Sequence, residues 1–493
     1  MVILGFPPFY RTQTGGQPVD FMVLRGANMA CDCAMSWAAI HPSKPVIGQN
    51  MYANNIFSNN MKRLSLILIC ALVGLGAMAQ NEYVPTEENL KSRQEFSDMK
   101  FGIFIHWGIY SMYGNGEWFM NVAGVNAKEY AKAADAFYPH RFNAEEWVSA
   151  IKGSGAKYIT ITSRHHDGFS MWGTKQSDYN IVDATPFHRD VLKELSAACQ
   201  EQGIRLHFYY SHLDWTREDY PWGRTGHQTG RDSTKADWPH YYQFMNNQLT
   251  ELLTNYGPIG AIWFDGFWDH DEDSVPFDWQ LDEQYAMIHR LQPACLVGNN
   301  HHENVLPGED IQIFERDIPG RNTAGYSGQD ISLLPLETCQ TMNSMWGYKV
   351  TDPYYKSVEE LIRYLVETAG KGANLLLNIG PQPNGELPAA SLERLKGMGE
   401  WLGTYGDAIY GTTAGDLQDQ PRGTSTRKGS TLFLHIFYPM QDIALPLNCK
   451  VQKAQLWDGT PLKVKQSKDG VWHLQLPEGA TADPVMVIRL TTK

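Results

Sequence analysis

Ala261-Ile262-Trp263-Phe264-Asp265-Gly266 is four apolar residues running straight into a carboxylate and then a glycine. An apolar run this short, ended by a turn residue, reads as a buried strand with an acid on its C-terminal tip. The same grammar recurs along the chain. Phe101–His106 is followed by Trp107-Gly108, and Tyr158–Ser163 by Arg164-His165-His166-Asp167-Gly168-Phe169. Arg205–Ser211 contains Phe208-Tyr209-Tyr210, and Leu296–Asn299 leads into Asn300-His301-His302. A sixth strand is expected over Asn374–Ile379.

Helical stretches fall between these strands, over Ala144–Lys152, Val191–Gln202, Trp238–Asn255, Leu281–Gln292, Ser357–Thr368 and Ala390–Tyr405. Gly153, Gly203 and Gly257 follow three of them, at the position that ends a helix in the left-handed conformation. Repeated βα units predict a parallel sheet, either a (β/α)8 barrel or a doubly wound sheet. No glycine-rich phosphate loop follows the first strand, which disfavours a nucleotide-binding fold. In a barrel the polar and aromatic clusters at five successive strand ends would all face one mouth, where active sites are built.

After about residue 415 the pattern changes to short β runs: Thr431–Tyr438, Lys450–Trp457, Leu462–Lys465, Val471–Leu476 and Val485–Leu490. Asp458-Gly459 and Asp469-Gly470 supply turns between them. The expected organisation is a catalytic α/β barrel over 80–412 and a C-terminal all-β sandwich over 413–493. At the other end, Met61-Lys62-Arg63, an apolar run over 64–76 and Ala77-Met78-Ala79 read as a signal peptide over 61–79. Residues 1–60 then read as an upstream extension outside the true start. The apolar run is too short to span a bilayer, which needs roughly 20 residues. Export to the periplasm or the extracellular space is the expectation.

Composition narrows the function. Of 493 residues, 43% are hydrophobic and 19% charged, enough to bury a large core. The net charge of -13 disfavours a nucleic-acid partner, which asks for a basic face. Seven cysteines without a CxxC pair give no disulfide scaffold and no zinc motif. The 15 Trp, 24 Tyr and 20 Phe suit a site that stacks the flat apolar faces of sugars, as well as a large core. Asp265 on a rigid strand end could attack a carbon or stabilise a cation. His165, His166 and Asp167 could be metal ligands, but adjacent residues of an extended chain point to opposite sides and no fixed-spacing motif appears. No metal and no cofactor is expected; imidazoles donating to sugar hydroxyls explain the same residues.

These segments resemble the α-L-fucosidases of glycoside hydrolase family 29. The resemblance is carried by Lys100–Gly108, Arg164–Phe169, Trp263–Gly266, Asn374–Pro381 with Gly385, and Trp401-Leu402 through Ala408–Gly411. It implies a (β/α)8-like barrel followed by a β-sandwich, and a retaining mechanism with two carboxyl groups. Asp265 matches the nucleophile and Glu315 the acid/base, with Glu309, Asp310 and Glu337 as rivals for the second role. Phe314 beside Glu315 is expected to raise its pKa. The sugar-binding positions carry over as His106, Glu117, Trp118, His165, His166, Tyr209, Trp263 and Trp346. The implied partner is a fucosylated oligosaccharide or glycoconjugate, with the oligomeric state unspecified. One position departs: the family's Asn-Asp-Arg is replaced here by Asn299-Asn300-His301-His302, so His301, His302 or Arg316 must take the arginine's place. Two alternatives stay open, a carbohydrate-binding protein on a decayed glycosidase scaffold and a glycosidase for a related sugar such as L-galactose.

Overall fold

The computed structural model describes residues 83–417 and 421–493. The leader expected over 61–79 and the extension over 1–60 lie outside the described residues. Eight parallel strands form the first sheet: β1 Phe101–Ile105, β2 Tyr158–Arg164, β3 Arg205–Ser211, β4 Ala261–Asp265, β5 Leu296–Asn299, β6 Gln312–Glu315, β7 Leu336–Thr341 and β8 Asn374–Ile379. Their spatial order is β5-β4-β3-β2-β1-β8-β7-β6. A parallel bridge between Gly298 and Ile311 joins the two ends and brings the sheet round into a barrel. Gly298 lets the strands approach closely at that seam, since a Cβ there would sit 3.1 Å from Ile313 Cδ1 and the isoleucine would have to give way.

Strand alternation sorts the side chains into two layers. Phe104, Tyr158, Tyr209, Trp263, Leu296, Ile313, Cys339 and Leu376 fill the barrel interior. Their neighbours Ile103, Ile161, Phe208, Ile262, Val297 and Leu377 point outward into a second core, packed against the surrounding helices. Helices follow β1, β2, β3, β4, β7 and β8, at Ala144–Gly153, Val191–Gln202, Trp238–Asn255, Leu281–Leu291, Val358–Gly370 and Ala389–Tyr405. Loops take the helix positions after β5 and β6.

Strands β6 and β7 were not expected from the sequence. Both are short or polar, and β7 (Leu-Glu-Thr-Cys-Gln-Thr) turns Glu337 into the interior rather than showing an apolar run. Nor was the helix Glu87–Met99, capped by Thr86 Oγ1 accepting from Asn89 N, at 3.1 Å. It closes the N-terminal end of the barrel, where Phe96 joins the interior cluster against Tyr158 and His207.

The rest of the chain forms eight antiparallel strands in the order β12-β15-β14-β13-β16-β11-β10-β9. Their ranges are β9 Thr413–Ala414, β10 Gly423–Lys428, β11 Thr431–Ile436, β12 Asp442–Leu445, β13 Val451–Leu456, β14 Pro461–Gln466, β15 Trp472–Gln475 and β16 Met486–Thr492. The sheet folds over so that Leu445 and Leu474 share one core with Leu432, Leu434, Ile488 and Leu490. Phe433 and Val487, on the other face, join the core of the barrel's helices. Architecture therefore agrees with the expected barrel and C-terminal β domain. Among the described residues no helix is long and apolar enough to cross a membrane, and Cys199, Cys295, Cys339 and Cys449 are unpaired.

The seam between β5 and β6 rests on a buried charge. Asp310 Oδ1 accepts from Arg93 Nε at 3.0 Å and Nη2 at 2.6 Å; Oδ2 accepts from His289 Nε2 at 2.9 Å and Val297 N at 2.8 Å. Removing one partner of a buried pair strands the other, at about 3–5 kcal/mol. Asp310→Ala is expected to destabilise the protein by that amount in urea unfolding, whereas loss of the exposed pair Lys91–Glu95 changes it by less than about 1 kcal/mol.

Candidate active site

Asp265 ends β4, on the same face as Trp263. Gly266 then turns the chain at φ +97, a conformation that L side chains rarely adopt. The turn aims the Gly266 N–H back at Asp265 Oδ1, at 2.8 Å, and brings Trp268 Nε1 to 3.0 Å from the same oxygen. Oδ2 accepts from Tyr209 OH at 2.9 Å and lies 3.7 Å from His166 Nε2. Burial and the charge of Glu315 push the Asp265 carboxyl up to about 6, against the pull of Trp268 and Tyr209.

Glu315 ends β6, two strands round the barrel. Its Oε2 accepts from Asn300 Nδ2 at 2.9 Å and His302 Nε2 at 3.0 Å, and Arg316 Nε lies 3.9 Å from Oε1. Burial raises this carboxyl, but His302, Asn300 and Arg316 outweigh it and hold it below the usual glutamate range. The expectation that Phe314 lifts it is corrected here. Alternation turns Phe314 to the opposite face of the strand, and the surroundings of Glu315 are polar.

Three histidines converge on the same mouth. His106 Nδ1 meets Asn378 Oδ1 at 2.7 Å, and Asn378 Nδ2 donates to Trp346 O at 2.7 Å. Burial depresses His106 to about 3, so the ring is neutral, donates through Nδ1 and keeps Nε2 as an acceptor. His166 is fixed by a similar chain. Ser211 Oγ gives its only proton to Leu213 O at 2.7 Å, so it must accept from His166 Nδ1, also at 2.7 Å. His165 lies parallel to Tyr209, with centroids 5.4 Å apart, and its Nδ1 has no hydrogen-bond partner among the described residues. Among the described residues no three His, Cys, Asp or Glu side chains are grouped to hold a metal ion.

Aromatic rings make the floor and walls. Trp263 stacks on Tyr209 at 5.5 Å and meets Phe104 edge-on at 5.1 Å. Its Nε1 donates to Glu337 Oε1 at 2.9 Å, while Tyr158 OH donates to Glu337 Oε2 at 2.6 Å. Burial pushes Glu337 up to about 7. Trp346 sits 5.2 Å from His106 and 6.0 Å from Phe104. In the loop after β1, Glu117 is buried and accepts from Gly347 N at 2.6 Å, and Trp118 stacks on Trp268 at 5.5 Å.

All ten residues singled out from sequence thus gather at the C-terminal end of the barrel. The rivals of Glu315 do not. Glu309 is spent on Tyr285 OH, His301 Nε2 and Leu306 N. Asp310 locks the seam, and Glu337 lies beneath Trp263. A cavity of about 590 Å3, lined by Glu95, Lys157 and Arg205 among others, lies at the opposite, N-terminal end of the strands. Sequence reasoning missed Trp268, Asn300 and Asn378 as partners of the site. Trp268 stands three residues after Asp265, a signal that was readable. Asn378 reaches His106 only because β1 and β8 pair with Phe104 opposite Asn378.

A family model described as alpha-L-fucosidase matches residues 72–407. The chain belongs to the α-L-fucosidase family. Plasma alpha-L-fucosidase of Rattus norvegicus is 33% identical over 392 residues, covering 71% of this chain and 79% of the relative. Alpha-L-fucosidase isoenzyme 1 from Paenibacillus thiaminolyticus superposes with a TM-score of 0.73 at 33% identity, covering 82% of this chain and 100% of that one. A GH29 alpha-L-fucosidase from Bacteroides thetaiotaomicron, solved as a trapped covalent intermediate with 2-fluoro-fucosyl fluoride, gives 0.71 at 26% identity, covering 83% and 100%. Within this family the geometry around Asp265 has a direct test. Tyr209→Phe removes a donor to the carboxylate, which favours its protonated form. The Asp265 pKa is expected to rise from about 6 by about one unit, read from the carboxyl resonance of 13C-aspartate-labelled protein with Asp265→Asn as the assignment control.

Proposed function

We propose that this protein is an exported retaining exo-α-L-fucosidase, with Asp265 as nucleophile and Glu315 as acid/base. The observation that carries the reading is the pair of half-buried carboxyl groups two strands apart at the same end of the barrel, close enough for the charge of one to raise the other. The relative trapped as a covalent intermediate supports the retaining course. In the first step Asp265 Oδ2 attacks the anomeric carbon while Glu315 gives its proton to the departing oxygen. Three fixed donors hold Asp265 in place, so little reorganisation is needed as its charge is consumed. In the second step Glu315 takes a proton from water, whose oxygen displaces Asp265.

His106, His165, His166 and Glu117 offer hydrogen bonds to ring hydroxyls. His106 and His166 keep neutral rings with Nε2 free to accept, which suits donors rather than anions. Phe104, Trp263 and Trp346 form an apolar wall that favours a sugar bearing a methyl over one bearing a hydroxymethyl, by about 1–3 kcal/mol. Export is supported by the basic, apolar and small-residue pattern over 61–79.

Azide products separate the two roles. With an aryl α-L-fucoside, Asp265→Gly is expected to lose about 10^3-fold or more in kcat. Azide should restore turnover and give the β-fucosyl azide, after one inversion. Glu315→Ala is expected to lose about 10^2- to 10^4-fold with poor leaving groups. There azide should give the α-fucosyl azide, after two inversions. The opposite pairing of product and variant, read by proton NMR of the anomeric centre, would exchange the two assignments.

A further inference from the structure

Five non-glycine residues among those described have positive φ: Lys100, His188, Gln280, His302 and Arg316. Lys100 and Gln280 are helix caps. His302, at φ +67, and Arg316, at φ +60, both touch Glu315. Left-handed backbone at a bulky residue costs energy and persists where surrounding contacts enforce it. His302 is clamped on both sides. Its Nε2 reaches Glu315 Oε2 at 3.0 Å, and its ring stacks on Tyr326 at 5.3 Å and 29°. Tyr326 belongs to the loop that replaces a helix after β6, and it is 46% exposed.

The neighbouring candidates are otherwise engaged. His301 turns away, to Glu309 at 3.0 Å and to Phe267 at 5.7 Å between centroids. Arg316 keeps its guanidinium over Trp346, 5.0 Å from the ring centroid. Around Glu315 the other titratable groups are Asp265, His106, Glu117 and Cys339. Of these and His302, only the His302 imidazole is in hydrogen-bond contact with the carboxyl.

We propose that His302 is the positioning residue for Glu315, donating its Nε2–H to carboxyl Oε2 so that Oε1 is left to carry the proton that is transferred. This rests on the fucosidase reading. Before bond cleavage the proton resides on Glu315. It passes to the glycosidic oxygen as the C1–O bond breaks and its electron pair goes to that oxygen. Asp265 Oδ2 supplies the pair that forms the new C1–O bond. The carboxylate left on Glu315 is then held in place by the N–H of His302 until it takes the proton of the incoming water. Aid from the acid matters most when the leaving group is a poor one, such as a sugar hydroxyl.

The test compares the parent, His302→Gly and His302→Asn on a fucosyl disaccharide and on 2,4-dinitrophenyl α-L-fucoside. Both substitutes tolerate positive φ, and asparagine is too short to place a donor where Nε2 sits. Expected is a fall in kcat/KM of about 10- to 100-fold on the disaccharide and less than about 3-fold on the dinitrophenyl fucoside. The alkaline limb of the disaccharide pH profile should move up by about one unit, because a carboxylate that loses a donor binds its proton more tightly. Added imidazole should restore part of the lost rate in His302→Gly. Equal losses on both substrates, or an unmoved alkaline limb in an active, folded His302→Asn, would overturn the proposal. A parent inactive on both substrates would instead overturn the fucosidase reading beneath it.

Discussion

A carboxylate taken out of water at a strand end survives only if rigid donors replace the water. Here that constraint organises the whole barrel mouth. Asp265 takes donors from its own turn, from the indole that follows it and from the next strand's Tyr209. Tyr209 in turn is fixed between the rings of Trp263 and His165. Trp263 is pinned from below by Glu337, itself held by Tyr158. Each layer of the interior thus orients the one above it, and the stack rests on Phe96 of the N-terminal helix. Removing the water also strengthens every electrostatic term at the mouth.

The two carboxyl groups are treated differently by their surroundings. Asp265 sits among neutral donors and is raised by burial and by the charge opposite. Glu315 is raised by burial but sits among the donors His302, Asn300 and Arg316, which outweigh that effect and lower it. A sugar seated between the carboxyl groups displaces water from both, which favours the protonated form of each. The group beside the departing oxygen is then the one whose protonated form gains most. The polar setting of Glu315 fits a residue that must be charged for half of each turnover and neutral for the other half.

Much of this was legible in the sequence because strand alternation is strict. An apolar run that ends in a polar cluster announces both the strand and the face of its last residue. That suffices for His106, His166, Tyr209, Trp263 and Asp265. It fails for β6 and β7, where Gln312, Glu337 and Gln340 interrupt the apolar pattern and no helix follows β6 to mark its end. Partners set by register between distant strands, such as Asn378 for His106, leave no local trace. The choice among His301, His302 and Arg316 depends on two left-handed residues whose conformation the residue types do not favour. Phe314 adjoins Glu315 in sequence but lies across the pleat from it, so its apolar ring does not set the surroundings of the carboxyl.

The account stands or falls on which atom bonds to the sugar. The direct measurement is to trap the protein with a 2-deoxy-2-fluoro-fucosyl fluoride, digest it and locate the added mass by tandem mass spectrometry. The account predicts one fucosyl adduct per chain, on Asp265, and none in Asp265→Asn. An adduct on Glu315 or Glu117, or turnover of an α-L-fucoside with no adduct and an inverted first product, would contradict it.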